Sequence, residues 1–223
     1  MRTWSNRKLK ATVDRMRRTR YSGTRNHENR WRDVMGLDEL TGKDVLDFGC
    51  GVGVEALELS IAGNFVALAD LSEDNGWLAA RVLALYDQLP TNVHLVSDRY
   101  PYVDSPSGSF DVFYCNGVLH HVRWPRAIVK RAHELLRPSG EIRLMVYSDV
   151  GWRIATGTEP PRDATERHAR FDQFVRFFDD VGDYADWYDS AKLTTWFGDL
   201  FDVERCEYLT PDGRYLGAVL RRR

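Results

Sequence analysis

VLDFGCGVG (45–53) is the stretch on which the reading of the fold turns. KDVLDFG (43–49) is a short apolar run ending in glycine, the pattern of a buried strand. It delivers the chain into Gly49-Cys50-Gly51-Val52-Gly53. VGVEALELSIAG (52–63) then leaves with helical spacing and a glycine stop at Gly63. Glycines at such a turn permit positive φ and let a ligand lie directly on the backbone. The start of the following helix offers free N–H groups and the positive end of a dipole.

Outward from this loop the same rhythm repeats. NFVALAD (64–70), NVHLVSD (92–98), FDVFYCN (110–116) and EIRLMVY (141–147) read as further strands. LSEDNGWLAARVLALYDQL (71–89) reads as a helix capped by Ser72 and weakened internally by Gly76. Another helix runs from Pro125 to Leu136 and ends at RPSG (137–140). RYPYVDSPSGS (99–109) is a loop. Strands separated by helices pair in parallel through right-handed crossovers, so the class is α/β with a doubly wound sheet.

The ends differ from this centre. Residues 1–36 form a basic N-terminal helical segment, in which 24–36 places Trp31, Val34 and Met35 on one side. Residues 148–188 break the strand–helix rhythm and read as an inserted aromatic cap within a domain made of 37–147 and 189–223. SAKLTTWFGDL (190–200) is a last helix. FDVERCEYLTPDGRYLGAVLRRR (201–223) alternates and turns at Asp212-Gly213, a hairpin signal.

Composition narrows the class. At 223 residues the chain suits one decorated α/β domain and can bury a sizeable core without staples. Cys50, Cys115 and Cys206 are scattered and form no CxxC or metal-ligand spacing, so reduced thiols and no metal are expected. No apolar run approaches the ~20 residues of a membrane span. No apolar stretch follows the N-terminal charges, so the expected location is the cytoplasm. Charge is uneven: residues 1–32 hold eleven Lys or Arg against two acids, and the remainder holds 20 bases against 31 acids. A basic arm suits either an anionic partner or packing on an acidic body.

Asp70 closes the second strand, 21 residues after Gly49, where an acid holds ribose hydroxyls in doubly wound nucleotide sites. The glycine spacing is GxGxG. Val54 occupies the place where a dinucleotide loop has its third glycine, which argues against a nicotinamide-dependent dehydrogenase. A cationic, phosphate-free ligand suits Asp47 beside the loop.

With these motifs in order, the chain resembles the class I S-adenosylmethionine-dependent methyltransferases, in their methyltransferase-11-like branch of small-molecule enzymes. VLDFGCGVG, ALADLSE (67–73), LVSDRYP (95–101), FDVFYCNGVLHHV (110–122) and LLRPSGEIRLMVY (135–147) carry the resemblance. It implies a mostly parallel seven-stranded sheet of order 3-2-1-4-5-7-6, with strand 7 antiparallel and helices on both faces. It implies S-adenosylmethionine as cofactor and S-adenosylhomocysteine as product. By the same resemblance Asp47, Gly49, Cys50, Gly51 and Gly53 lie near the methionine moiety, and Asp70 with Leu71 at the ribose. Asp98 faces the adenine amino group, Arg99 supplies a backbone contact, and Asn116 and Gly117 floor the sulfonium.

The expected reaction is transfer of a methyl group to an oxygen or nitrogen of a small molecule. His121 and His120, at the C-terminal edge of the fourth strand, are the candidates for a general base or for orienting substrate. His27 is an outside candidate, and His94 sits mid-strand as packing. Tyr21 and Arg30 in the arm, and Tyr147 and Trp152 at the cap, are the candidate substrate contacts, with Arg25 and Arg32 as further anion holders. The cap is also a candidate self-association surface, which makes a homodimer an open expectation. Two other readings stand beside this one. An RNA or nucleoside methyltransferase would use the basic arm, although Asn116-Gly117-Val118-Leu119 lacks the Asn/Asp-Pro-Pro-aromatic tetrad and Cys115 follows Tyr114 rather than proline. A non-catalytic S-adenosylmethionine-binding module would keep the loop and lose transfer.

Overall fold

The apolar runs 45–48, 66–69 and 112–115 form strands whose side chains alternate between two buried faces, as parallel strands covered on both sides do. The structure, a computed structural model, describes residues 3–22, 26, 28–97, 102–161, 170–178 and 184–223. The strands are β1 (Asp44–Phe48), β2 (Phe65–Asp70), β3 (Asn92–Leu95), β4 (Phe110–Asn116), β5 (Leu136–Tyr147), β6 (Phe201–Tyr208) and β7 (Tyr215–Arg222). They form one seven-stranded sheet of order β3-β2-β1-β4-β5-β7-β6. β3, β2, β1, β4 and β5 pair in parallel, and β7 runs antiparallel to both β5 and β6. The implied order and the antiparallel seventh strand are both present.

The connecting helices are α1 (Asn6–Arg20), α2 (Arg30–Val34), α3 (Val54–Ile61), α4 (Glu73–Ala84), α5 (Pro125–Leu135), α6 (Asp149–Thr156), α7 (Phe171–Phe178) and α8 (Ser190–Phe197). On one face of the sheet, Leu46, Phe48, Phe113, Cys115 and Leu144 pack with Ile128 and Ala132 of α5 and Leu193 and Phe197 of α8. On the other, Val45, Leu68, Val112 and Tyr114 pack with Trp31, Leu57, Val82 and the α1 residues Leu9 and Val13. The period-2 alternation puts Asp47 on this second face, two residues beyond Val45. Asn116 likewise follows Tyr114.

α1 begins at Ser5, whose hydroxyl accepts from the Lys8 amide at 3.3 Å. Its apolar contribution is only Leu9 and Val13, roughly 1.5–3 kcal/mol each for a full burial. Polar contacts do much of the remaining anchoring. Tyr86 donates to Asp14 at 2.6 Å, Arg17 pairs with Glu58 and Arg20 with Glu55 at 2.9 Å. Arg32, after the arm's turn, pairs with Asp38 and reaches Glu58 at 3.5 Å. Several arginines of the basic segment are thus matched to acids of the body.

Three boundaries differ from the sequence reading. Of the helix expected over 24–36, the described residues form Arg30–Val34, and Glu28 and Asn29 just before it take positive φ, 53° and 60°, which a right-handed helix does not accommodate. The helix expected to reach residue 89 stops at Ala84, where the cap N–H of Leu85 closes back on Arg81 and Val82. RPSG (137–140) is not a connector: β5 begins at Leu136, paired with Phe110, and the next registered pair is Val112 with Glu141. The extra residues bulge out, which tolerates Pro138 and Gly140 inside a strand.

The segment read as a cap leaves and rejoins the sheet at one point. The Tyr188 amide donates to the Tyr147 carbonyl at 2.8 Å and the Asp149 amide to the Tyr188 carbonyl at 3.0 Å. Between them, Tyr147, Trp152, Phe174, Val175 and Trp187 make a small core of their own. Among the described residues no helix is long and apolar enough to cross a membrane.

Candidate active site

β1 hands the chain to the glycine loop at the C-terminal edge of the sheet, where ligands of open α/β sheets bind. Gly49, Gly51 and Gly53 all take positive φ, at 82°, 52° and 79°. Their environments differ. A Cβ on Gly53 would stand 2.8 Å from the Ala79 Cβ and 2.9 Å from its Cα, so this glycine lets α3 and α4 approach. A Cβ on Gly51 would meet nothing within 4 Å, so its Cα faces open space. The loop is fastened by the Gly49 and Cys50 amides, which both donate to the Ala69 carbonyl, at 2.7 and 3.1 Å.

Asp70, at the end of β2, clamps the loop to α4. One carboxylate oxygen accepts from the Gly51 amide at 2.9 Å; the other accepts from the Ser72 amide at 2.9 Å and the Asn75 side chain at 3.1 Å. Ser72 caps α4 as expected. Leu71 follows with its side chain in the open. Cys50 is buried, and burial together with Asp47 and Asp70 pushes its thiol far above the usual range, so it is no nucleophile. Asp98, Arg99, Arg25 and His27 lie outside the described residues.

Asp47 is buried and one of its oxygens has no hydrogen-bond partner. Burial, then the neighbouring Glu55, raise its carboxyl well above the ordinary range. Glu55 is a site residue that the sequence did not single out. It stands in the first turn of α3, an ordinary place for an acid, which hid it. Yet it is buried and gathers four groups. Arg20 pairs with one oxygen at 2.9 Å, and Tyr21 and Asn116 both donate to the other at 2.9 Å. Asp47 is the fourth, coupled through charge. Tyr21 is thereby brought to the site at the end of α1. Asn116 keeps its side-chain carbonyl buried without a partner. Gly117 turns at φ 82° with its amide on the Met145 carbonyl at 3.1 Å.

The two histidines, on a 3-10 turn at Leu119–His121, have different surroundings. His120 is 1% exposed, stacked on Tyr147 at 3.6 Å, and neither ring nitrogen has a partner. Burial holds its pKa well below the ordinary value, so the ring is neutral. His121 Nδ1 lies 2.9 Å from the Tyr184 carbonyl. A carbonyl only accepts, so Nδ1 carries the hydrogen and the neutral ring has its lone pair on Nε2. A cavity of ≈ 810 Å³, lined by Arg123, Trp124, Pro125, Tyr184 and Trp196 among others, lies beyond this turn rather than at the glycine loop.

Of the remaining candidates, Tyr147 stacks on the histidine turn and the others are placed elsewhere. Tyr147 and Trp152 lie in the cap's core, with Trp152 5.0 Å from Phe174. Arg30 pairs with Glu28 at 2.6 Å on the surface. His94 is a buried side chain of β3. Among the described residues no His, Cys, Asp or Glu group gathers as a metal ion requires.

A family model for a methyltransferase domain matches residues 15–200. The chain belongs to that methyltransferase family. The ubiquinone biosynthesis O-methyltransferase of Thiobacillus denitrificans is 34% identical over 111 residues, 50% of this chain and 46% of that protein. The protein of the same name from Idiomarina loihiensis is 36% identical over 105 residues, 47% and 42% of the two chains. This methyltransferase thus spans a little under half the length of the curated relatives it matches. Among solved structures, an S-adenosylmethionine-dependent methyltransferase from Mesorhizobium loti superposes with a TM-score of 0.65 at 20% identity over 86% of this chain and 97% of that one. One from Aquifex aeolicus gives 0.63 at 14% identity over 99% and 100%. These likenesses agree in fold with the sheet described above.

The methyltransferase site fits S-adenosylmethionine. Three buried acids, Asp47, Glu55 and Asp70, surround the loop, and Arg20 is paired to Glu55. A ligand with positive charge at the sulfonium and the amino group complements that excess. The unpartnered oxygens of Asp47 and Asn116 are acceptors waiting for such donors. The open space over Gly51 admits a ligand against the backbone.

Proposed function

We propose that this methyltransferase moves the methyl group of S-adenosylmethionine to an oxygen of a small molecule, with His121 removing the acceptor's proton. The observation that carries the reading is the His121–Tyr184 hydrogen bond, in which Nδ1 donates and the ring is held at the C-terminal edge of the fourth strand. The O-methyltransferase names of the sequence relatives support oxygen as the atom methylated.

S-adenosylmethionine, when bound, supplies an activated methyl group. Asp70 would hold the ribose hydroxyls, and the Gly49–Gly53 backbone with Asp47 would hold the methionine part. Asn116 and Gly117 form the floor beside the reacting centre. His121 Nε2 would take the proton of the acceptor hydroxyl. Holding the reactants in line can be worth roughly 7–11 kcal/mol, and proton removal adds about 10²–10⁴ in rate. Trp124 and Trp196, beyond the histidine turn, offer faces for a flat acceptor. The free thiols suit a reducing compartment, which supports the cytoplasm as the place of reaction.

The RNA or nucleoside reading rested on the basic arm, and the pairing of Arg17, Arg20 and Arg32 with Glu58, Glu55 and Asp38 weakens it. The test is transfer of label from S-adenosyl-[methyl-³H]methionine to a panel of phenols, catechols, amines, nucleosides and tRNA. Label on a hydroxyl compound supports the reading. Label on nucleic acid alone, or cofactor binding with no transfer to any acceptor, overturns it.

A further inference from the structure

We infer that the cavity beyond the histidine turn takes an aromatic carboxylic acid as the methyl acceptor, with Arg123 reading the carboxylate. The inference names the acceptor class and so rests on the O-methyl-transfer reading above.

The cavity, at ≈ 810 Å³, falls within the roughly 300–1,000 Å³ usual for small-molecule sites. Its walls combine Arg123 and Trp124 after the histidine turn, Pro125 at the start of α5, Trp196 of α8 and Tyr184. Trp124 is 74% exposed, so most of its indole is open to a ligand. Flat rings pack well against such side chains. Tyr184 joins the cavity to the proposed chemistry, because it lines the wall while its main-chain carbonyl holds His121 Nδ1 at 2.9 Å.

Charge then selects among flat ligands. Two arginines line the cavity and are employed differently. Arg126 is engaged: it pairs with Asp199 at 2.5 Å and donates to the Trp196 carbonyl. Arg123 is exposed, and its guanidinium stands over the Tyr184 ring, 5.0 Å from the centroid. Among the described residues no acid pairs with it. A guanidinium stacked on a ring keeps its N–H edge available, and that edge matches a carboxylate fork to fork. α5 begins in the same wall with no acid in its first turn, so the positive helix end adds to Arg123 rather than offsetting it. An amine would meet repulsion here, a neutral phenol only the rings, and an aromatic acid both the rings and the cation. A merely structural role for Arg123, covering the Tyr184 ring, would be indifferent to ligand charge.

Calorimetric titration of the full chain with 3,4-dihydroxybenzoate, catechol and 3,4-dihydroxybenzylamine compares one ring bearing a negative, no and a positive charge. The benzoate should bind about three- to tenfold more tightly than catechol, the amine more weakly than catechol, and the preference should shrink at high salt. Arg123→Gln should bring the three affinities within about twofold, while Arg123→Lys keeps part of the preference. Trp124→Ala should weaken all three ligands by a similar factor. Both side chains are exposed, so neither replacement touches the core. Absence of binding, equal affinities in the wild type, or a preference unmoved by Arg123→Gln overturns the inference. Methyl label that passes to catechol and not to the benzoate overturns the acceptor class and leaves O-methyl transfer standing. A charge-dependent site with no label on any hydroxyl compound overturns the transfer reading instead, and keeps the cavity as a carboxylate site.

Discussion

The ring of His121 is tied by Nδ1 to the main-chain carbonyl of Tyr184, 63 positions later, at 2.9 Å. The turn after the fourth strand and the return of the cap are therefore joined through the ring proposed to do the chemistry. One bond fixes both the tautomer and the ring orientation.

Replacing this ring with alanine should lower kcat by about 10²–10⁴ while the affinity for S-adenosylmethionine changes little. Steady-state rates with the acceptor found in the labelling screen, together with cofactor titration, make the comparison. Undiminished turnover in His121→Ala assigns proton removal to another group.

Asp70→Ala removes acceptors used by Gly51, Ser72 and Asn75 as well as the proposed ribose contact. Hydrogen bonds to a charged group are worth about 1.5–3 kcal/mol, so cofactor affinity should fall roughly tenfold to hundredfold. Equilibrium titration reads this directly, and an unchanged Kd removes Asp70 from the cofactor site.

Gly51→Ala and Gly53→Ala should part company. Both place a side chain at positive φ, at a cost of about 1–2 kcal/mol. Gly53→Ala adds a collision with Ala79, so urea unfolding should report a further loss of about 1–3 kcal/mol. The methyl group of Gly51→Ala enters open space, so that variant should stay folded and lose cofactor binding. A Gly51→Ala protein that binds normally would show that the ligand does not lie on this backbone.

His120 gives stability a definite pH dependence. Its folded pKa is depressed by burial, so below about pH 6.5 the unfolded chain takes up a proton that the native ring refuses. Stability from this group is complete above that value and is lost as pH falls, by up to about 1.4 kcal/mol per pH unit. Urea midpoints compared between pH 7.5 and 5.5 should fall more steeply for the wild type than for His120→Phe. Parallel slopes would falsify the burial of a neutral ring.

Much of the fold was legible because its signals are local and redundant. Apolar runs ending at Gly49, Asp70 and Asn116, each followed by a helix, leave few ways to wind a sheet. The hairpin at Asp212-Gly213 announced its own antiparallel pairing. What stayed hidden depends on contacts distant in sequence. Glu55 reads as a helix-start acid until Arg20, Tyr21 and Asn116 are seen around it. The bulge at 137–140 resembles a helix stop because Pro and Gly serve both purposes. Tyr147 and Trp152 read in the sequence as candidate substrate contacts; that both share a cluster with Phe174, and that Tyr147 also stacks on His120, depends on tertiary packing. His120 and His121 are adjacent in sequence, and the fold alone separates a buried ring from a bonded one.

The junction at Tyr147 and Tyr188 bears on how such a protein can change. The two ends of the segment 148–188 meet in hydrogen bonds of 2.8 and 3.0 Å, an isolated bridge just past the end of β5. A replacement for residues 148–188 would have to supply again the carbonyl that holds the His121 ring and the amide that Asp186 places on the His120 carbonyl.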